Sequence, residues 1–481
     1  MKENDKNEVN KVKTTTAIGI LESTLGNPLI RKILKPLCKY CEKDGKNRIE
    51  VAIEIYTGKR KKACLSCKFA SKIIKKVLIK GGEIFGLNEK EIKEKFKDSY
   101  WAKALASTIK GIAYFGVKRP FTAGAPYQVV WDVTYACNLN CKHCYSASGK
   151  RKEDELSTNE AKKAIDIMAK AGVTILAFSG GEPLVRNDIF ELTRYASDKG
   201  MYVAMATNGT LITENVAKKM KKAGIKFVQI SLDGATPEIH DEFRGVKGAF
   251  EKTIRGIRNC VKENFFVEVS TTATHFNYKQ IPDIIDLCEK LQVNWFMVFN
   301  FVPTGRGRFI IENDLTPEER EELLKMLLER SRRSKVEILS TAPQFARVAL
   351  QEIEMEGELL MPTHFYNPKL KGKLVSLAEF IGGCGAGRFY LALEPNGDIQ
   401  PCVFLPLKIG NILEDDFEDL WRNNKVLNEL RNKDLIKKCS QCKYRYYCGG
   451  CRARAYGYFG DYLMPDPGCI NNIDVYKNIL K

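Results

Sequence analysis

Two hydrophobic rhythms divide the chain. Up to about residue 120, apolar positions recur at helical spacing. In Cys67–Lys80, residues Ala70, Ile73, Ile74, Val77 and Leu78 share one face, and Lys72, Lys75, Lys76 and Lys80 mostly take the other. Ser99–Phe115 repeats the pattern with Trp101, Leu105, Ile109 and Ile112, and a further helix is predicted over Arg48–Tyr56. The segment RPFTAGAP, Arg119 to Pro126, reads as a linker. From Tyr127 short β-rich runs take over: YQVVWDV (127–133), VTILAFS (173–179), MYVAMA (201–206), KFVQISL (226–232), VEVSTTA (267–273) and NWFMVF (294–299). Helical stretches such as Thr158–Ala171 and Glu214–Ala223 lie between them. Apolar strands alternating with helices predict a parallel sheet covered by helices, and a curved partial barrel suits the pattern better than a flat doubly wound sheet. Either way, chemistry is expected at the C-terminal strand ends.

Residues 311–383 open with an acidic helix, LTPEEREELLKMLLERSRR, and run into an irregular stretch containing HFYNP; they are expected to bridge. The segment after Cys384 is turn-rich and cysteine-dense, as where metal replaces a hydrophobic core. The expected architecture is α/β, a partial (β/α)6 TIM barrel with an N-terminal helical domain and a small cysteine-rich C-terminal domain. The expected divisions are 1–120, 121–310, 311–383 and 384–481.

At 481 residues, 44% hydrophobic and 28% charged, the chain can bury a sizeable core in two or three domains. Its N-terminus, MKENDKNEVNKVK, lacks an apolar core segment, so a cytoplasmic protein is expected, with peripheral membrane contact as an option. The net charge of +18 suits an anionic surface, an acidic partner or simple solubility. Lys and Arg are scattered without a dense stripe, so no nucleic-acid partner is expected.

Sixteen cysteines change the picture most. In a reducing compartment, cysteines at short fixed spacings more often hold metal than disulfides. They form three groups: Cys38, Cys41, Cys64 and Cys67; Cys137, Cys141 and Cys144; and Cys384, Cys402, Cys439, Cys442, Cys448, Cys451 and Cys469. Cys260 and Cys288 are left over and are expected to pack in the core. Four soft ligands in the first group suit Zn²⁺ or a single rubredoxin-like iron, with a cluster also open. The CxxxCxxC of the second group, in TYACNLNCKHCY, puts three thiolates on one loop just past the first strand. Three ligands on a [4Fe–4S] cube leave one iron open to chelate a small molecule, which a four-cysteine cluster cannot do.

That loop resembles the signature of the radical S-adenosylmethionine (SAM) superfamily, including an aromatic position before the third cysteine, here His143. The resemblance implies that SAM binds the open iron and is cleaved by one electron to a 5′-deoxyadenosyl radical that abstracts hydrogen. SGGEP, Ser179 to Pro183, resembles the family's GGE motif, which implies that Gly180, Gly181 and Glu182 meet the SAM ammonium. By the same resemblance Asn208 of ATNG, Ser231 of SLDG and Arg244 of HDEFRG are candidates for SAM contacts, and NFVPTGRG (300–307) for adenine. His143 is expected to pack over the cluster. No catalytic acid or base is assignable.

The C-terminal cysteines resemble the SPASM auxiliary-cluster domain, with Gly397 five residues before Cys402, a CxxC at Cys439 and Cys442, and Cys448 after five intervening residues. One departure is that Gly449 and Gly450 leave two residues, not three, between Cys448 and Cys451. The resemblance implies two auxiliary [4Fe–4S] clusters, one on Cys439, Cys442, Cys448 and Cys469, the other on Cys384, Cys402 and Cys451. Zinc is the alternative occupant, since CxxC spacing is shared with zinc ribbons. A low-potential donor such as ferredoxin or flavodoxin is implied as a partner. For the substrate, the helical N-terminus before a radical SAM barrel and SPASM tail is similar to enzymes that join unactivated carbons of isoprenoid ether lipids. Carbon–carbon bond formation on a membrane lipid is therefore expected, with peptide or protein maturation as the alternative and a non-catalytic iron–sulfur electron carrier as the third reading.

Overall fold

The computed structural model describes residues 19, 22–23, 25–84, 87–352, 358–360, 369–371 and 377–479; the polar N-terminal segment and HFYNP lie outside them. The N-terminal helical rhythm folds into α1 (Pro28–Leu37), α2 (Arg48–Tyr56), α3 (Leu65–Ile84), α4 (Glu89–Phe96) and α5 (Ser99–Phe115). Their apolar stripes close on one core that includes Leu34, Ile49, Ile53, Ala70, Ile74 and Ile109. Helices α1 and α4 go beyond those predicted. α1 is short and carries Pro36 in its last turn, a residue that usually argues against a helix, and α4 buries only Ile92, so it presents no clear apolar stripe. α5 ties this domain to the rest: the buried Lys110 donates to the Ala171 carbonyl at 3.0 Å and pairs with Glu418 at 2.5 Å.

The six predicted strands form within two residues of their expected limits: β1 (Gln128–Asp132), β2 (Ile175–Ser179), β3 (Tyr202–Thr207), β4 (Ile225–Ser231), β5 (Phe266–Ala273) and β6 (Trp295–Asn300). The intervening helices carry their own start and stop signals. Thr158–Ala171 opens on a Ser157–Glu160 capping box, buries Ala161, Ala164, Ile165 and Met168 against the sheet, and ends at the left-handed Gly172.

The sheet continues beyond the region assigned to the barrel. β7 (Glu337–Ser340) pairs parallel with β6, and β8 (Tyr390–Leu393) pairs parallel with β1 on the other side. β9 (Asp398–Gln400) and β10 (Gly410–Asn411) add antiparallel beyond β8, giving the order β10-β9-β8-β1-β2-β3-β4-β5-β6-β7. The stretch 311–383 is therefore more than a bridge, because it supplies a strand of the same sheet. The cysteine-rich region likewise feeds β8 to β10 into that sheet. The result is an α/β partial barrel with a helical N-terminal domain and a cysteine-rich C-terminal region. Cys260 and Cys288 are fully buried in its main core. Among the described residues, no helix is long and apolar enough to cross a membrane.

Candidate functional site

β1 hands the chain to the cysteine loop, which closes on itself through Cys137 N–H to the Gly149 carbonyl at 3.0 Å. Three strand ends then hold it. After β2, the Gly181 and Glu182 N–H groups donate to the Thr134 and Ala136 carbonyls at 2.8 and 2.9 Å. A Cβ on Gly181 would stand 2.1 Å from the Ala136 oxygen, so SGGEP needs glycine there for close backbone approach. After β4, the Phe243 and Arg244 carbonyls accept from Lys142 and Asn140 at 3.0 and 3.2 Å. After β6, Arg306 N–H donates to the Cys144 carbonyl at 2.9 Å, and its side chain reaches the Cys141 and Ser148 carbonyls at 2.8 and 2.6 Å. The motifs that sequence reading picked out separately are thus one clamp on one loop.

Beside the loop lies a cavity of about 540 Å³ lined by Cys137, Cys141 and Cys144 and extending through the barrel lumen. An ordinary barrel fills this space with bulky branched side chains. Here Val130, Ala177 and Ala204 pair in register across β1, β2 and β3, and two alanines leave the lumen open. Of the candidate SAM contacts, Gly180, Gly181, Asn208, Ser231 and Arg244 line the cavity. Glu182 does not. It is fully buried, and its carboxylate accepts from the Thr207 hydroxyl at 2.7 Å, Asn208 N–H at 2.8 Å and Leu184 N–H at 3.1 Å, tying the β2 and β3 ends together. Burial pushes its carboxyl up despite these bonds.

Arg244 is also already engaged. It pairs with Asp233 at 2.6 Å and directs another N–H at the Cys141 sulfur, 3.6 Å away. Burial would raise the Asp233 carboxyl, but Arg244 beside it holds it below the ordinary range. His143 stacks on Phe243 with ring centroids 4.2 Å apart, its Nε2 3.5 Å from Asp233. Burial pulls its imidazole down to about 4, so the ring is neutral where it stacks. The sequence reading missed two groups, Arg306 as a side-chain clamp and a buried Glu268–Gln229 pair inside the lumen. Glu268 was visible as an acid on an inward-facing strand position, flanked by Val267 and Val269.

The C-terminal cysteines fall into two neighbourhoods. Cys384, Cys402 and Cys451 surround a small hollow that shares Asn300, Tyr390 and Phe404 with the main cavity. Burial, and then Cys384 and Cys451, push the Cys402 thiol up. Around Cys448, burial acts first and Cys469 and Cys439 add to it. Cys442 closes the turn begun at Cys439, its N–H donating to that carbonyl at 3.0 Å. Gly449 and Gly450, both left-handed, carry the chain from one neighbourhood to the other.

Sulfur spacing distinguishes these sites. A single tetrahedral ion with metal–sulfur bonds of about 2.3 Å holds its sulfurs roughly 3.8 Å apart. Among the described residues, one set has its ligand atoms within 4.8 Å of one another: Cys41, Asp44, Cys64 and Cys67. The Cys41 and Cys64 sulfurs are 3.6 Å apart. Among the described residues, neither the cysteine loop nor the C-terminal sets form a second group that compact. Cys38 is a correction to the expected four-cysteine set. It caps α1, which directs it into the helical core, where its thiol donates to the Leu34 carbonyl at 3.3 Å and burial pushes it up to about 12. Asp44 stands in its place, held down to about 2 by hydrogen bonds from Cys67 and Cys64, and paired with Arg60 at 3.1 Å.

Residues 131–291 match the radical SAM superfamily, and residues 384–443 match SPASM, an iron–sulfur cluster-binding domain. The AdoMet-dependent heme synthase of Methanosarcina barkeri is 40% identical over 72% of this chain and 97% of its own length. Mycofactocin maturase MftC of Mycobacterium tuberculosis is 32% identical over 72% of this chain and 83% of its own. Among solved structures, SuiB of Streptococcus suis bound to precursor peptide SuiA superposes with a TM-score of 0.61 at 17% identity, covering 87% of this chain and 91% of that one, a likeness of fold. The N-terminal helical domain lies outside both matched family ranges. The chain belongs to the radical SAM superfamily, carries a SPASM domain, and uses S-adenosylmethionine and [4Fe–4S] clusters as cofactors.

Proposed function

We propose that this radical SAM enzyme removes hydrogen from unactivated C–H bonds of a long apolar chain and joins carbons of a membrane (isoprenoid ether) lipid. The observation behind this reading is the barrel lumen. Alanines and aromatic rings make up much of its wall, with Gln128, Gln229, Glu268, Ser270 and Thr272 as polar interruptions; it extends beyond the SAM end, and its two arginines, Arg244 and Arg306, are already bonded to the protein. A substrate rich in carboxylates would find no free arginine among the described lining residues, whereas a hydrocarbon needs none. When bound, SAM and its cluster supply one-electron cleavage of a carbon–sulfur bond and the hydrogen abstraction that follows.

In this reading Cys137, Cys141 and Cys144 hold that cluster. Gly180, Gly181, Asn208 and Ser231 line the SAM end, and the clamp through Arg306 keeps the loop in place. Cys439, Cys442, Cys448 and Cys469 hold one auxiliary cluster, and Cys384, Cys402 and Cys451 the other. Cys41, Asp44, Cys64 and Cys67 hold a single Zn²⁺ or iron that staples the N-terminal domain. A ferredoxin- or flavodoxin-type donor provides the electrons, and the lipid is met at the membrane surface.

Two other substrates have an observation behind them. The 40% identity to AdoMet-dependent heme synthase favours a haem precursor, and the kinship with mycofactocin maturase MftC favours a peptide. Incubation of the reduced enzyme with SAM and extracted lipids, followed by mass spectrometry, is expected to give a lipid lighter by two hydrogens. An unchanged lipid pool alongside conversion of an iron porphyrin or a co-expressed peptide would reverse the assignment. Absence of 5′-deoxyadenosine with dithionite would favour the electron-carrier reading.

A further inference from the structure

The cavity has a second end. Besides the cysteine loop, it is lined by residues at the starts of the strands: Tyr202, Phe227, Phe266 and Trp295. These rings are half-buried: Phe227 and Phe266 stack with centroids 5.6 Å apart, and Trp295 meets both edge-on, 4.8 Å from Phe266. From Phe266 to Thr272 the lumen follows β5 for about 20 Å at 3.3 Å per residue, a length suited to a long chain; β5 itself contributes Glu268, Ser270 and Thr272, and the apolar wall comes from Ala177, Ala204, Met297 and Phe299 on other strands. The N-terminal domain completes the rim with Tyr100 and Trp101 at the start of α5, and Trp101 remains 40% exposed. Two exposed lysines crown the aromatics: Lys95 lies 4.9 Å over the Trp101 ring, and Lys226 lies 5.5 Å over Tyr202. The neighbouring acid Asp98 is occupied in capping α5, accepting from Tyr100 N–H at 2.7 Å.

Barrels of this kind normally close their floor with packed side chains and admit substrate at the opposite face. Here the cavity reaches the floor among half-buried aromatic rings topped by cations, the combination that suits a lipid interface. We infer that the hydrocarbon chain of an anionic membrane lipid enters the barrel through this floor mouth, its headgroup held at Lys95 and Lys226. The chain end then reaches the SAM side from below, and the roof stays closed by the cysteine loop. This rests on the apolar-chain reading above and assigns the N-terminal domain a part in it.

The tryptophans report directly on the mouth. Trp131 and Trp421 are fully buried, whereas Trp101 and Trp295 line the mouth. The full-length, cluster-loaded protein would be mixed with anionic phospholipid vesicles carrying either brominated or plain acyl chains. Bromine quenches indole only at contact. Brominated vesicles are expected to quench the wild type, and also Trp101→Phe, in which Trp295 at the strand start is the reporter of chain insertion. Reversing both cations (Lys95→Glu, Lys226→Glu) is expected to weaken vesicle binding by at least about 30-fold. Equal emission with the two lipids in Trp101→Phe, while the protein still sediments with vesicles, would overturn the floor entrance. So would failure of the wild type to bind vesicles at all. Quenching without any lighter lipid product would leave the entrance standing and overturn the carbon–carbon bond instead.

Discussion

Glu268 is a buried carboxylic acid in a lumen otherwise suited to hydrocarbon, with the Gln229 amide as its hydrogen-bond partner. Burial pushes its carboxyl from the ordinary 4.5 up to about 7. The folded protein therefore binds this proton more tightly than the unfolded chain. Its contribution is most favourable below pH 4.5 and is lost as pH rises toward 7, by on the order of 3 kcal/mol. Glu268→Gln removes the titration. The difference in unfolding free energy between variant and wild type is thus expected to grow in the variant's favour between about pH 5 and 7.5, then level off. A flat difference across that range in denaturant melts would show that the acid is not buried as described. The residue stands in plain view between Val267 and Val269, but a lone acid in a β-run reads as solvent-facing until the curvature of the sheet is known. The sequence misled over Cys38 for a related reason. CKYC spacing brings two thiols near each other, but the end of α1 turns Cys38 inward, and a count of cysteines overlooks Asp44.

At the scale of elements, apolar runs bounded by turns were enough for the barrel strands, which are buried at successive positions, and helical periodicity was enough for α3 and α5, whose apolar residues join one core. Helix α4 is polar almost throughout, and β8 to β10 are short strands inside a cysteine-rich segment, so neither announced itself. The candidate SAM motifs were legible as motifs, but the clamp they form was not, because it consists of backbone contacts between strand ends distant in sequence. That clamp can be tested through the glycine of SGGEP. In Gly181→Ala the new methyl meets the Ala136 carbonyl oxygen, and moving that backbone shifts the segment leading into Cys137. The strain should cost about 2–3 kcal/mol. The variant is expected to fold but to assemble the loop cluster poorly, with iron and sulfide falling while the C-terminal clusters persist. Full cluster content by iron analysis and electron paramagnetic resonance would show that the loop does not depend on this contact.

For the whole molecule, one compact N-terminal ligand group and two matched iron–sulfur regions imply metal sites of two kinds that should be lost independently. The N-terminal ion would sit between the Tyr40–Cys41 strand, the Asp44 turn and the start of α3, away from the barrel's cysteine loop in sequence and in core. Helices α2 and α3 flank the ion site and also pack in the core that holds α5, which carries the rim residues Tyr100 and Trp101, so loosening the staple should reach the floor mouth. Asp44→Ala removes one ligand and leaves Arg60 with Glu54 as its remaining acidic partner, at 3.0 Å. Metal affinity is expected to fall at least about 100-fold, beyond what loss of an outer-shell partner costs. Cys38→Ala, by contrast, keeps all four ligands, so its metal content should match wild type even though core packing suffers. The comparison is read by counting non-cluster metal per chain after dialysis against a mild chelator, with Trp101 emission as a second reporter. Asp44→Ala should lose both the ion and the native emission, and Cys38→Ala should keep the ion. If Cys38→Ala empties the site instead, the four-cysteine set expected from spacing alone is the correct one, and Asp44 only neutralises Arg60.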